Sequence, residues 1–152
     1  MPMITHREFI SAPIDKCFEL ARDVETIMRT APDIKQKAVG GVTSGLLEKG
    51  DIVTWETVHF GIRTQLSSQM IVVERPHLFK DSMVKGLFHS FTHTHEFIEV
   101  QNGTWMIDRF DYSSPLSLLG VMADQLFLKR YMQNFIRKRA GVLKVIAESE
   151  DV

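Results

Sequence analysis

The segment FTHTHEF, Phe91 to Phe97, alternates strictly. Successive side chains of an extended strand point to opposite faces. Phe91, His93, His95 and Phe97 therefore share one side, and Thr92, Thr94 and Glu96 share the other. The two phenylalanines mark the first side as inner. Two imidazoles thus stand where a half-buried strand normally carries aliphatic groups. Imidazole titrates near neutrality, so such a pair can anchor a ligand's polar group, relay a proton or ligate a metal.

The next strand offers a carboxylate. Asn102-Gly103 is the best hairpin signal in the chain. Beyond it Thr104, Met106, Asp108, Phe110 and Tyr112 share a face. Turning Met106, Asp108 and Phe110 inward brings Asp108 to His93 and His95. A carboxylate beside an imidazole fixes its tautomer and raises its basicity, which makes an acid–base pair. The same three groups also suit a structural polar network, because buried polar atoms need partners. His89, His93 and His95 read H-x-x-x-H-x-H. Strand residues two apart are about 7 Å apart and can share an ion, but residues four apart are about 13 Å apart. No metal site is expected from these three.

Apolar contact for a ligand is expected from Trp55, Met70, Met83 and Met106 and from Phe91, Phe97 and Phe110. His59 alternates with Trp55 and Thr57 and would join them. Phe79, Asp81, Met83 and Lys85 form a mixed face on a further strand. Methionine thioethers adapt to irregular ligands and also fill ordinary cores. No nucleophile elbow, phosphate-binding glycine loop or dinucleotide fingerprint occurs, so neither covalent catalysis nor a cofactor is expected.

These residues need elements to position them. MITHREFI reads as a strand. A first short helix follows from Pro13, with Asp15 at its positive end and Ile14, Cys17, Phe18 and Ala21 at helical spacing. Cys17 is then a core residue. VETIMRTA reads as a second short helix ended by Pro32. IKQKAV, DIVTWETVHF, RTQLSSQMIVVE, LFKDSMV, SFTHTHEFIEV and TWMIDRFDYS read as six strands, with turn signals such as Gly40-Gly41 between them. Leu118, Met122, Leu128, Met132, Phe135, Val142 and Ile146 mark one stripe of a long helix over residues 116–148. Arg139 falls within that stripe and is expected in an ion pair. Ser113 to Gly120, SSPLSLLG, would form a cavity mouth.

The chain has 152 residues, enough for one domain with one core, and no linker or repeat divides it. Eighteen basic residues against nineteen acidic give a formal charge of -1, which offers no bulk attraction for nucleic acid. A single cysteine excludes an internal disulfide. No run approaches the ~20 apolar residues of a membrane span, and the N-terminus lacks a signal-peptide pattern. A cytoplasmic location is the expectation.

The order strand, two short helices, six strands and long helix resembles the START-related helix-grip superfamily, as does Ile10 to Phe18, ISAPIDKCF. The chain is most similar to its bacterial polyketide cyclase/dehydrase-like branch. The branch's motifs fall here on Trp55 to Gly61, Phe79 to Phe88, His93 to Phe97, Gly103 to Asp108 and Tyr112 to Gly120. Gly86 to Phe88 reads GLF where relatives often have GPF. The resemblance implies an α+β fold. A curved seven-stranded antiparallel sheet would wrap a long C-terminal helix and enclose a cavity for an apolar, aromatic or polycyclic small molecule. Three readings follow: a binding protein, a cofactor-independent cyclase or dehydrase using His93, His95 and Asp108, and an interaction module whose basic helix docks a partner.

Overall fold

A computed structural model describes residues 3–113 and 125–149. Strand β1 (Met3–Ile10) leads into helices α1 (Ile14–Arg22) and α2 (Val24–Arg29) and a 3₁₀ turn (Pro32–Ile34). Six strands follow: β2 (Lys37–Gly41), β3 (Ile52–His59), β4 (Ile62–Glu74), β5 (Leu78–Lys85), β6 (Ser90–Val100) and β7 (Gly103–Ser113). Helix α3 (Gln125–Glu148) ends the described chain. One antiparallel sheet contains all seven strands in the order β1-β7-β6-β5-β4-β3-β2. Strands β2 to β7 form a meander, and β1 closes onto β7 at its edge.

Local chemistry explains the boundaries. Asp23 separates the two short helices and caps the second, its carboxylate accepting from the Thr26 backbone N–H at 3.0 Å. Asn102 takes a left-handed φ of 73°, as its place in the β6–β7 turn demands. The neighbouring Gly103 passes so close to β1 that a Cβ there would lie 2.4 Å from the Ile10 carbonyl oxygen. Gly40 and Gly41, expected as a turn, instead lie inside β2. The register with β3 shifts between Ala38 and Gly40, and a Cβ on Gly41 would meet the Ile52 oxygen at 2.1 Å. The glycines accommodate a bulge rather than a reversal.

The apolar interior comprises two clusters. One gathers Phe18, Trp55, Met70, Phe79, Phe97 and Met106 with Leu143 and Ala147 of α3. The other gathers Ile4, Phe91, Phe110 and Tyr112 with Met132 and Ile136 of α3. Cys17 is fully buried in the first, as expected of a core residue. The buried apolar residues of α3 are Met132, Ile136, Ala140, Leu143, Ile146 and Ala147, at helical spacing, and the expected Met132 and Ile146 are among them. Phe135 and Val142, expected in the same stripe, are half-buried on its flank. Leu118, Met122 and the expected mouth at residues 114–120 lie outside the described residues.

Phe97 is 1 % exposed and meets the rings of Phe18 and Phe79 at 5.5 and 5.9 Å. Phe97→Ala is expected to destabilise the fold by about 3–5 kcal/mol, measured as a lower urea midpoint at unchanged slope.

Candidate functional site

A polar belt separates the two apolar clusters. Along β6 the inner face reads Phe91, His93, His95, Phe97, so the two imidazoles fall at the junction. On β7 Asp108 is the register partner of His95, and on β5 Asp81 is the register partner of His93. On β1 His6 is the register partner of Asp108, and its Nε2 lies 2.9 Å from Glu8 Oε1. Four adjacent strands thus carry polar groups within one two-residue step of the register.

His93, His95 and Asp108 are buried, at 7, 7 and 5 % exposure. His95 Nδ1 lies 2.8 Å from Asp108 Oδ1, and His93 Nε2 lies 3.3 Å from the same oxygen. The imidazoles stack on each other at 3.9 Å, and His95 stacks on Phe79 at 4.2 Å. Phe110 meets His93 edge-on at 5.5 Å. These rings fix the imidazoles in place from both sides. The contacts to Asp108 are close but poorly aligned. Among the described residues His93 Nε2, Asp108 Oδ1 and Asp81 Oδ1 are buried without a partner in hydrogen-bond geometry. An unsatisfied buried polar atom costs about 1–3 kcal/mol.

The environment drives the two carboxyls apart. Burial alone would raise Asp108, but the two imidazoles against it outweigh burial and hold it far below the usual carboxylate range. Asp81 is pushed up by burial, which outweighs the attraction of His93 and Arg139. Burial, reinforced by His95, pushes His93 down, and Asp108 and Asp81 offset this only in part. Arg139 descends from α3 toward both carboxylates. Its expected ion pair does not form at contact distance among the described residues; the guanidinium lies 5.7 Å from the Phe135 ring centre, and Asp108 and Asp81 act on it at longer range.

Two spaces meet at this cluster. The inner one is a cavity of about 30 Å³ against His93, His95, Met106 and Asp108, closed by Leu20, Ile27, Ile136 and Leu143. That is room for one or two water molecules. The outer one is an open groove of about 500 Å³ between the 3₁₀ turn and α3, lined by Ile34, Phe135, Val142 and Val145 among others. Thr30 and Arg139 border both. The larger of these two spaces therefore lies beside α3.

Of the residues expected from the sequence, His93, His95, Asp108 and Met106 border the inner cavity. Trp55, Met70 and Phe97 pack in the first apolar cluster. Phe91, Phe110 and Met83 pack in the second. None of these six lines either space. His59 is drawn to α3 instead, its Nδ1 hydrogen-bonded to the Tyr131 hydroxyl. Asp81 and Arg139 were not among the expected site residues. The alternation of Asp81 with Phe79 was the signal for the former, and an arginine within an apolar stripe was the signal for the latter.

A curved antiparallel sheet closed by a C-terminal helix defines the helix-grip class. Residues 10–138 match the family described as polyketide cyclase/dehydrase and lipid transport, and the chain belongs to that family. None of the curated proteins matches the sequence significantly. Among solved structures the chain is similar to TTHA0849 from Thermus thermophilus, with 17 % identity and a TM-score of 0.79, covering 97 % of this chain and 100 % of that one. The di-domain ARO/CYC StfQ of the steffimycin biosynthetic pathway gives 12 % identity and a TM-score of 0.77; the match covers 96 % of this chain and 50 % of StfQ. Major latex-like protein 151 from Panax ginseng gives 12 % identity and a TM-score of 0.70, covering 97 % and 98 %. At these identities the likeness is one of fold. No helix among the described residues is long and apolar enough to cross a membrane.

Two expectations follow from the electrostatics. Burial holds His59 below its ordinary value, so the folded protein resists a proton that the unfolded chain accepts. Stability should fall as the pH drops below about 6.5, the ordinary histidine value. In His59→Gln that fall should be shallower, read from denaturation midpoints across the range. Asp81→Asn removes a charge that burial disfavours and should raise the midpoint at neutral pH.

Proposed function

We propose that the protein binds a small, largely apolar molecule in the groove beside α3, with the ligand's polar end passing Arg139 to reach His93, His95 and Asp108. One observation carries this reading. Buried polar atoms without aligned partners face a small cavity that shares Thr30 and Arg139 with a groove of about 500 Å³. A mostly apolar pocket with a few convergent polar groups is the usual form of a small-molecule site. The groove supplies the apolar wall through Phe135, Val142 and Val145. The belt supplies hydrogen-bonding groups that the fold leaves unsatisfied. Membership of a family described by cyclases, dehydrases and lipid transport supports a ligand of this kind. The neighbour named ARO/CYC supports an aromatic or polycyclic one.

The primary test is native mass spectrometry of the chain purified from its own cells, followed by denaturing extraction. A stoichiometric apolar molecule is the expected result. An environment-sensitive apolar dye should bind the purified chain at one site, and the extracted molecule should displace it. Val142→Trp fills the groove from a half-buried position and should weaken dye binding at least tenfold at an unchanged thermal midpoint. Equal dye affinity in Val142→Trp, with no co-purified molecule, would overturn the reading.

A further inference from the structure

We propose that Asp81, His93 and His95 form a binding site for a divalent first-row transition metal ion, with Asp108 as the carboxylate that orients both imidazoles. The inference concerns the same cluster as the binding reading but requires no organic ligand. One donor atom from each of Asp81, His93 and His95 lies within 4.8 Å of the others. A tetrahedral ion with bonds of about 2.0–2.1 Å needs donors roughly 3.4 Å apart, so side-chain rotations of about an ångström close the set. The third donor that β6 lacks comes from β5, where Asp81 is the register partner of His93.

Three further features fit an ion. Asp81 Oδ1 is buried with no aligned partner, and His93 and His95 are each 7 % exposed. Asp108 Oδ1 sits 2.8 and 3.3 Å from one nitrogen of each ring. That leaves the other nitrogen of each ring for a metal, the usual arrangement in which a carboxylate holds a metal-ligating histidine. The two carboxylates carry negative charge that Arg139 offsets in part and a divalent ion would offset further. Imidazole nitrogen beside a carboxylate oxygen selects zinc, cobalt or nickel over magnesium or calcium. Arg139 competes, since its guanidinium already supplies positive charge to both carboxylates. Its removal should therefore tighten metal binding. His89 is exposed in the bend just before β6 and takes no part.

The test is titration of the chelator-treated chain with zinc by calorimetry and with cobalt by visible absorption, in the absence of organic ligand. Saturation at one ion per chain is expected, with an intense cobalt spectrum of low coordination number. Asp81→Ala and His95→Ala should each weaken binding at least tenfold. Asp108→Asn should weaken it about 10–100-fold at unchanged stoichiometry. Arg139→Gln should strengthen it several-fold, and His89→Ala should leave it unchanged. Non-saturating binding, an aquo-like cobalt spectrum, affinity unaltered in Asp81→Ala or affinity lost in His89→Ala would each overturn the proposal. If a cluster variant fails to fold by circular dichroism, the cobalt spectrum of the unaltered chain decides alone. Dye binding measured with chelator present keeps the organic-ligand reading separate, so either can fail without the other.

Discussion

The constraint on which the rest of the structure depends is the burial of Asp108. A carboxylate 5 % exposed in an apolar interior is tolerable only with charge-stabilising groups against it. His93 and His95 supply them from the neighbouring strand. The register of β6 against β7 is thereby tied to polar chemistry as well as to the apolar alternation. A slip by one residue would turn the imidazoles outward and leave the carboxylate buried alone. Phe79 and Phe110 then hold the rings by stacking and edge contact.

That belt divides the interior. A continuous apolar core would bury the same area without unsatisfied atoms, so the division costs stability. Two clusters of aromatic and aliphatic side chains compensate on either side, and α3 spans both with one buried row. The cost is concentrated where the inner cavity meets the groove, next to Arg139. Stability held in reserve by the two clusters and spent at one polar junction is the expected pattern for a functional site on a stable scaffold.

Most of the architecture was legible in the sequence. The alternation of β6 and β7, the Asn102-Gly103 turn and Pro13 at the start of α1 each carry a local physical signal, and each corresponds to an observed element. The departures have local causes too. Gly40-Gly41 carries the composition of a turn, but glycine also serves a bulge, and only the pairing of β2 with β3 distinguishes the two. Phe135 and Val142 match a helical stripe by spacing, yet they lie one row aside, toward the groove. The site was partly legible. Strand parity brought His93, His95 and Asp108 together, because neighbours across a tight hairpin are fixed by sequence. Trp55, Met70 and Phe97 share inner faces with them but lie deeper in the core, and parity cannot rank depth along a face.

The sequence by itself determined which residues share a strand face and which strands adjoin through short turns, since period and turn chemistry are local. It therefore determined the imidazole pair and its carboxylate. Only the tertiary structure decided what faces them. Asp81 reaches His93 through the β5–β6 register, across a connection over 86–89 that is longer than the two-residue β6–β7 turn and sets register less tightly. Arg139 reaches the cluster through the packing of α3, which depends on the shape of the whole sheet. The groove lies between the 3₁₀ turn and the flank of α3, with Lys138 Nζ 3.6 Å from Asp33 Oδ2. Distances between elements remote in sequence are set by the packing of the entire core, and no local pattern encodes them.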